Sequence, residues 1–160
     1  MRHRFECPLR WSDMDSFGHV NNVVFLRYLE EARIDFMFRL ARQADSGAFT
    51  GGSVVARHEI DYRKPLTHRP EPVVVELWVT KLGFASATVG YEIKDESGLY
   101  VTAQTVIVPY DLELSRPRRL TDEERTFLSR YFDDEATGGD EAGGADEPAE
   151  AGEARDADAA

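Results

Sequence analysis

From Ser53 onward the chain reads as one strand after another, and that succession constrains the fold more than any other feature of its 160 residues. Ser53–Tyr62, Val73–Leu82, Ala85–Lys94 and Leu99–Tyr110 are short runs rich in β-branched and aromatic residues, the composition that suits a pleated and half-buried surface. Lys94-Asp-Glu-Ser-Gly98 supplies a hairpin turn between the last two. Pro65, Pro70 and Pro72 fill the gap after the first run, where a missing N–H interrupts no central ladder. Adjacent strands joined by turns point to an antiparallel sheet, which needs something apolar against one face.

The cover lies upstream. Between Val23 and about Ala44 the apolar residues Phe25, Leu29, Ala32, Phe36 and Leu40 recur at close to helical spacing, and this predicts one long helix. Its other side carries Val24, Tyr28 and Phe38, as a helix covered on more than one face would. Arg4–Trp11 is apolar enough for a strand and runs into the loop Ser12–Asn22, with Asn21 or Asn22 placed to cap the helix. Asp45–Gly52 is a glycine-containing break. Near the end, Thr121 and Glu124 form a capping box for a short helix reaching about Phe132. The pattern is α+β: an antiparallel sheet of about five strands around one long helix, with a short C-terminal helix, in one domain over residues 1–132.

Residues 133–160 carry eleven acidic residues against one base, Arg155, so this stretch holds ten of the chain's eleven net negative charges. With no aromatic residue after Phe132 it has little to bury, and a disordered, solubilising extension is expected. The remaining body is near neutral and lacks the positive field that nucleic-acid binding requires. The single cysteine, Cys7, excludes an internal disulfide and a cysteine-rich metal site and is read as packing. No apolar run approaches the ~20 residues of a membrane span, and the N-terminus has no apolar stretch after its charges, so a cytoplasmic protein without membrane or nucleic-acid partners is expected.

Chemistry concentrates in Trp11-Ser-Asp-Met-Asp-Ser-Phe-Gly-His-Val-Asn-Asn22, at a strand-to-helix junction. A carboxylate just before a long helix sits near the free N–H groups of its first turn, which suit a developing oxyanion. His19 can bond a carboxylate or a water, or tune Asp15 by its charge. Together with Phe25-Leu-Arg-Tyr-Leu-Glu-Glu-Ala-Arg33 and Ile60-Asp-Tyr-Arg-Lys-Pro-Leu66, this string resembles the signature of hotdog-fold acyl-CoA thioesterases of the 4-hydroxybenzoyl-CoA thioesterase type, close also to acyl-ACP thioesterases. The resemblance covers about residues 4–132. It implies hydrolysis of an acyl-CoA thioester without a cofactor or metal, in a homodimer or homotetramer with the site at a subunit interface. It puts the catalytic carboxylate on Asp15, as nucleophile or general base; the expected site adds His19 and Asn22 as catalytic residues and Gly18, Tyr28, Arg63 and Lys64 as substrate-binding ones. Arg63, Lys64, His68 and Arg69 form a basic cluster that could meet the phosphates of coenzyme A. In the acyl-ACP branch an asparagine lies two residues after the catalytic aspartate; Phe17 stands there instead.

Each of these residues has a plainer reading. Asp13 suits a turn or cap, Asn22 a cap, His19 a structural hydrogen bond, His58 a packed strand face and Ser86 a small strand residue, while the basic cluster suits solvated surface. Asp13-Met-Asp15 also resembles the aspartyl-phosphate motif of haloacid-dehalogenase-like phosphatases, but the run of adjacent strands is wrong for their doubly wound fold. A metal held by Asp13, Asp15 and His19 would place three ligands in one loop without supporting partners. A hotdog domain that hydrates an acyl thioester, or only binds one, shares the fold.

Overall fold

The computed structural model describes residues 1–43, 49 and 52–133. Five principal strands, β1 (His3–Cys7), β2 (Ser53–Tyr62), β3 (Val73–Leu82), β4 (Ala87–Asp95) and β5 (Gly98–Asp111), form an antiparallel sheet in the order β1-β3-β4-β5-β2. A two-residue β6 (Arg116–Pro117) adds to β5. Across the concave face lies α1 (Asn22–Ile34), continued by one wide turn over Asp35–Leu40 with π-type bonding and by Ala41–Gln43. The short helix α2 (Asp122–Ser129) follows the sheet. This is the curled sheet around one long helix expected of a hotdog fold.

Alternation along the strands decides what meets the helix. Val73, Val75, Leu77 and Val79 of β3, Val89, Tyr91 and Ile93 of β4, and Val101, Ala103 and Ile107 of β5 are buried on one face. They pack on Phe25, Tyr28, Leu29, Ala32 and Phe36 of the helical layer. Phe36 meets Phe127 and Tyr131 at 5.2 and 4.8 Å between ring centroids, closing the far end of the core with α2. The expected capping box is present at Thr121 and Glu124.

Several boundaries differ from expectation for local reasons. The first strand stops at Cys7, before Pro8, and the chain then makes a 3-10 turn at Trp11–Asp13. The long helix begins on Asn22, and its wide turn has no proline or glycine to mark it. At that turn Asp35 is held by His3 at 2.8 Å and by Arg39, tying β1 to the helix. β4 starts at Ala87 because Gly83 N–H closes a turn on the Ser86 carbonyl, 2.9 Å away, so Ser86 precedes the strand. Asp133 belongs with the folded body: its N–H bonds the Val79 carbonyl at 3.0 Å and its carboxylate pairs with Arg2 at 3.1 Å. Most of the Asp45–Gly52 break, and the acidic stretch from residue 134 onward, lie outside the described residues. No helix among the described residues is long and apolar enough to cross a membrane.

Candidate active site

The loop between β1 and α1 is held at both ends by a single buried carboxylate. Asp13 accepts from the Arg10 N–H at 3.1 Å and the Tyr28 hydroxyl at 2.7 Å, and its carbonyl accepts from Asn21 N–H at 2.9 Å. Burial, then the bond and charge of Asp13, push the Tyr28 phenol far above its ordinary value, so it stays a donor. Asp13 is thus the structural member of the two aspartates. Tyr28, expected toward the substrate, is buried beneath the loop as its partner.

Asp15 is placed by backbone rather than by side chains. Its N–H bonds the His19 carbonyl at 2.8 Å, and its Oδ1 accepts from the N–H groups of Phe17 at 2.8 Å and His19 at 3.2 Å. The turn closes through Gly18, whose φ of 75° lies in the left-handed region that glycine enters without strain, and whose N–H bonds the Asp15 carbonyl at 3.1 Å. Gly18 therefore shapes the loop with its backbone. Among the described residues Oδ2 of Asp15 makes no hydrogen bond. One oxygen orients the carboxylate and the other remains available.

Asn21 is the helix cap, its side chain accepting from Val23 N–H at 3.0 Å and its carbonyl from Val24 N–H at 2.9 Å. Asn22 is the first helical residue, so the cap reading falls on its neighbour. Val20 N–H bonds the Leu66 carbonyl at 2.7 Å and brings the Pro65 segment against the loop. The resulting cleft, about 350 Å³, is lined by Asp15, His19, Asn22, Arg63 and Lys64 together with Phe25 and Tyr62. Five of the seven expected site residues therefore converge, and Gly18 and Tyr28 support them from outside. Tyr62 was not among the expected residues; its hydroxyl donates to the Asn22 carbonyl at 3.0 Å and its ring lies 5.7 Å from that of Phe25. The alternation His58, Ile60, Tyr62 was the signal that puts it on the inner face.

The basic cluster divides. Arg63 and Lys64 line the cleft, but Arg63 donates to Thr102 Oγ1 at 3.4 Å and the Lys64 ammonium donates to the Ser97 carbonyl at 3.1 Å, over the Tyr100 ring that Arg69 also meets beside Asp95; His68 stacks edge-on to Trp11 at 5.7 Å. Cys7 is fully buried, and burial pushes its thiol up to about 12, as packing requires. Among the described residues no group of His, Cys, Asp or Glu is arranged to hold a metal. A wider hollow of about 880 Å³ crosses the outer face of the sheet beside Trp78, Gly90 and Gln104, but it contains neither a residue of the loop nor a helix N-terminus.

A carboxylate fixed at the mouth of a helix, on a sheet curled around that helix, defines the class. The chain belongs to the Thioesterase-like superfamily, whose family model it matches over residues 9–129. It resembles the solved structure of the PA2801 protein, "a putative Thioesterase", from Pseudomonas aeruginosa, at 35% identity and a TM-score of 0.67 over 78% of this chain and 95% of that one. It also resembles a thioesterase from Thermus thermophilus solved in complex with coenzyme A and Zn, at 30% identity and a TM-score of 0.65 over 80% of this chain and 92% of that one. The uncharacterized protein YsmA of Bacillus subtilis (strain 168) is 29% identical over 121 residues, 75% of this chain and 80% of that protein. Family and neighbours together support thioester hydrolysis as the general reaction.

Proposed function

We propose that this protein hydrolyses acyl-CoA thioesters to the free acid and coenzyme A, with Asp15 as the reacting carboxylate. The observation that carries the reading is Asp15 itself: Oδ1 fixed by two backbone N–H groups, Oδ2 without a bond among the described residues, at the N-terminus of α1. Oδ2 attacks the thioester carbonyl to give a mixed anhydride that water then opens, or takes a proton from the attacking water; both routes expel the thiolate, which leaves as the thiol once protonated. Negative charge on the carbonyl oxygen is met by the first-turn end of α1, where Asn21 occupies the N–H groups of Val23 and Val24 and that of Asn22 has no partner among the described residues. His19, on the cleft wall, orients the water. Arg63 and Lys64 line the cleft and would meet a phosphate-bearing carrier there, Lys64 on release of its ammonium from the Ser97 carbonyl; the coenzyme A in the Thermus thermophilus neighbour is consistent with that carrier.

The test is thiol release from short-chain, long-chain and aromatic acyl-CoA compounds by wild type and Asp15→Asn. The expected result is turnover that falls by at least ~10²-fold in a variant of unchanged fold. A variant within threefold of wild type would remove Asp15 from the chemistry. Absence of release from every compound by a folded protein would favour an acyl-carrier-protein substrate or a non-hydrolytic binding role.

A further inference from the structure

The Asp15 cleft is shallow, and one aromatic side chain makes it so. Its rim is formed by exposed residues, Asn22, Arg63 and Lys64 among them, while its deepest walls are Phe25 and Val20, 3% and 4% exposed. Phe25 stands three residues into α1 from Asn22, ~5 Å along the axis. A helix tilts its side chains toward its own N-terminus, so this ring lies within one turn of the place where the thioester carbonyl is received.

The Phe25 ring is wedged. It meets Tyr28 edge-on at 6.0 Å and Tyr62 at 5.7 Å between centroids. Tyr28 is fastened to the Asp13 carboxylate at 2.7 Å, and Tyr62 to the Asn22 carbonyl at 3.0 Å. Farther along the helix Tyr28, Leu29 and Ala32 are fully buried, as is Val101, the strand partner of Tyr62, so no space large enough for a water touches them. The cleft's volume of about 350 Å³ is at the low end for a small-molecule site, and it has to hold the thioester and the end of its carrier as well as the acyl group.

We infer that Phe25 is the floor of the acyl site and sets acyl length, so that the preferred substrates are thioesters of short-chain acids. This rests on the thioesterase reading. An apolar acyl chain leaves water by entering the buried side of the cleft, while the charged carrier stays at the rim with Arg63 and Lys64. A longer chain meets the Phe25 ring and must either displace packed side chains or lie in water over Val23, which is exposed. A second copy paired along β2 would add a wall beside Tyr62 and leave this floor in place.

The experiment measures kcat/KM for acetyl-, butanoyl-, octanoyl- and dodecanoyl-CoA with wild type, Phe25→Ala and Phe25→Leu; leucine keeps the position apolar and largely filled where alanine leaves too wide a void to fold. Wild type is expected to favour butanoyl- over dodecanoyl-CoA at least ~10-fold, and each folded variant to move the optimum to a longer chain. A wild-type optimum at dodecanoyl-CoA overturns the inference, as does a length profile unchanged in folded Phe25→Leu. If wild type turns over none of the four, their affinities for Asp15→Asn with and without Phe25→Leu separate the two readings. A preference for short chains that shifts with Phe25→Leu keeps the floor and sinks hydrolysis; affinity indifferent to length sinks the floor.

Discussion

Asp13 and Asp15 stand two residues apart and do opposite work because one oxygen-rich side chain is sealed and the other is open. Asp13 is spent on Arg10 and Tyr28, so Tyr28→Phe is expected to destabilise the fold by about 1.5–3 kcal/mol, the scale of a hydrogen bond to a buried charge, read as a lower denaturant midpoint at unchanged slope. Gly18→Ala tests the Asp15 turn in a different way. An added Cβ would meet nothing within 4 Å, so its cost is conformational alone, about 1–2 kcal/mol from the left-handed φ. Turnover is expected to fall with it, since relaxing Gly18 moves the N–H groups that orient the Asp15 carboxylate; a variant that is destabilised yet fully active would show that the turn's geometry is not needed for catalysis. Cys7 supplies a quiet control. With its thiol raised to about 12, iodoacetamide at pH 8 should label the native protein far more slowly than the unfolded one.

At the scale of elements, α2 is held by a charged pair that makes its docking sensitive to acid. Burial pushes the Glu124 carboxyl up, but the two bonds from Arg118 at 2.8 and 2.7 Å, and that from Thr121 N–H at 2.9 Å, outweigh it and hold the group below the usual carboxylate range. A depressed value contributes stability that is present above the unfolded pKa and is lost as pH falls through the folded one. Glu124→Gln should therefore flatten the acid limb of the stability curve below about pH 4. At pH 7 it should cost about 2–3 kcal/mol, less than a fully buried pair because Arg118 keeps part of its side chain in water. An acid limb identical to wild type would show that other carboxylates govern it. This helix was legible because a capping box is a local signal, as were β2, β3 and β5 and the loop that carries Asp15. Less legible was whatever depends on distant partners: the wide turn at Asp35–Leu40, the two-residue β6, the burial of Tyr28 under Asp13, and the turning of the Lys64 ammonium to Ser97 and Tyr100 beside Arg69. Those outcomes are set by which strand lies next to which, and no window of sequence contains that.

The whole molecule leaves one long edge open. Among the described residues β2 ends the sheet, pairs only with β5, and is exposed along most of its ten residues, while the opposite edge, β1, has five. Val54 and Val55 on this edge are 40% and 39% exposed, and beside it stand Tyr62 at 47%, Ile34 at 50% and Val23 at 65%. An unpaired edge of that length with apolar side chains is what isolated proteins avoid, and pairing two copies edge to edge would continue the sheet and cover the row. A homodimer at micromolar concentration in sedimentation equilibrium is the expected state, and Val54→Lys with Val55→Lys should yield a monomer by placing like charges on the seam. Because Tyr62, Arg63 and Lys64 are continuous with that edge and line the Asp15 cleft, loss of the dimer is expected to lower turnover at least ~10-fold even though Asp15 and its turn are untouched. A monomeric double variant with wild-type turnover would show that one chain carries a complete site; wild type that is itself monomeric would mean the apolar edge is covered by something other than a second copy.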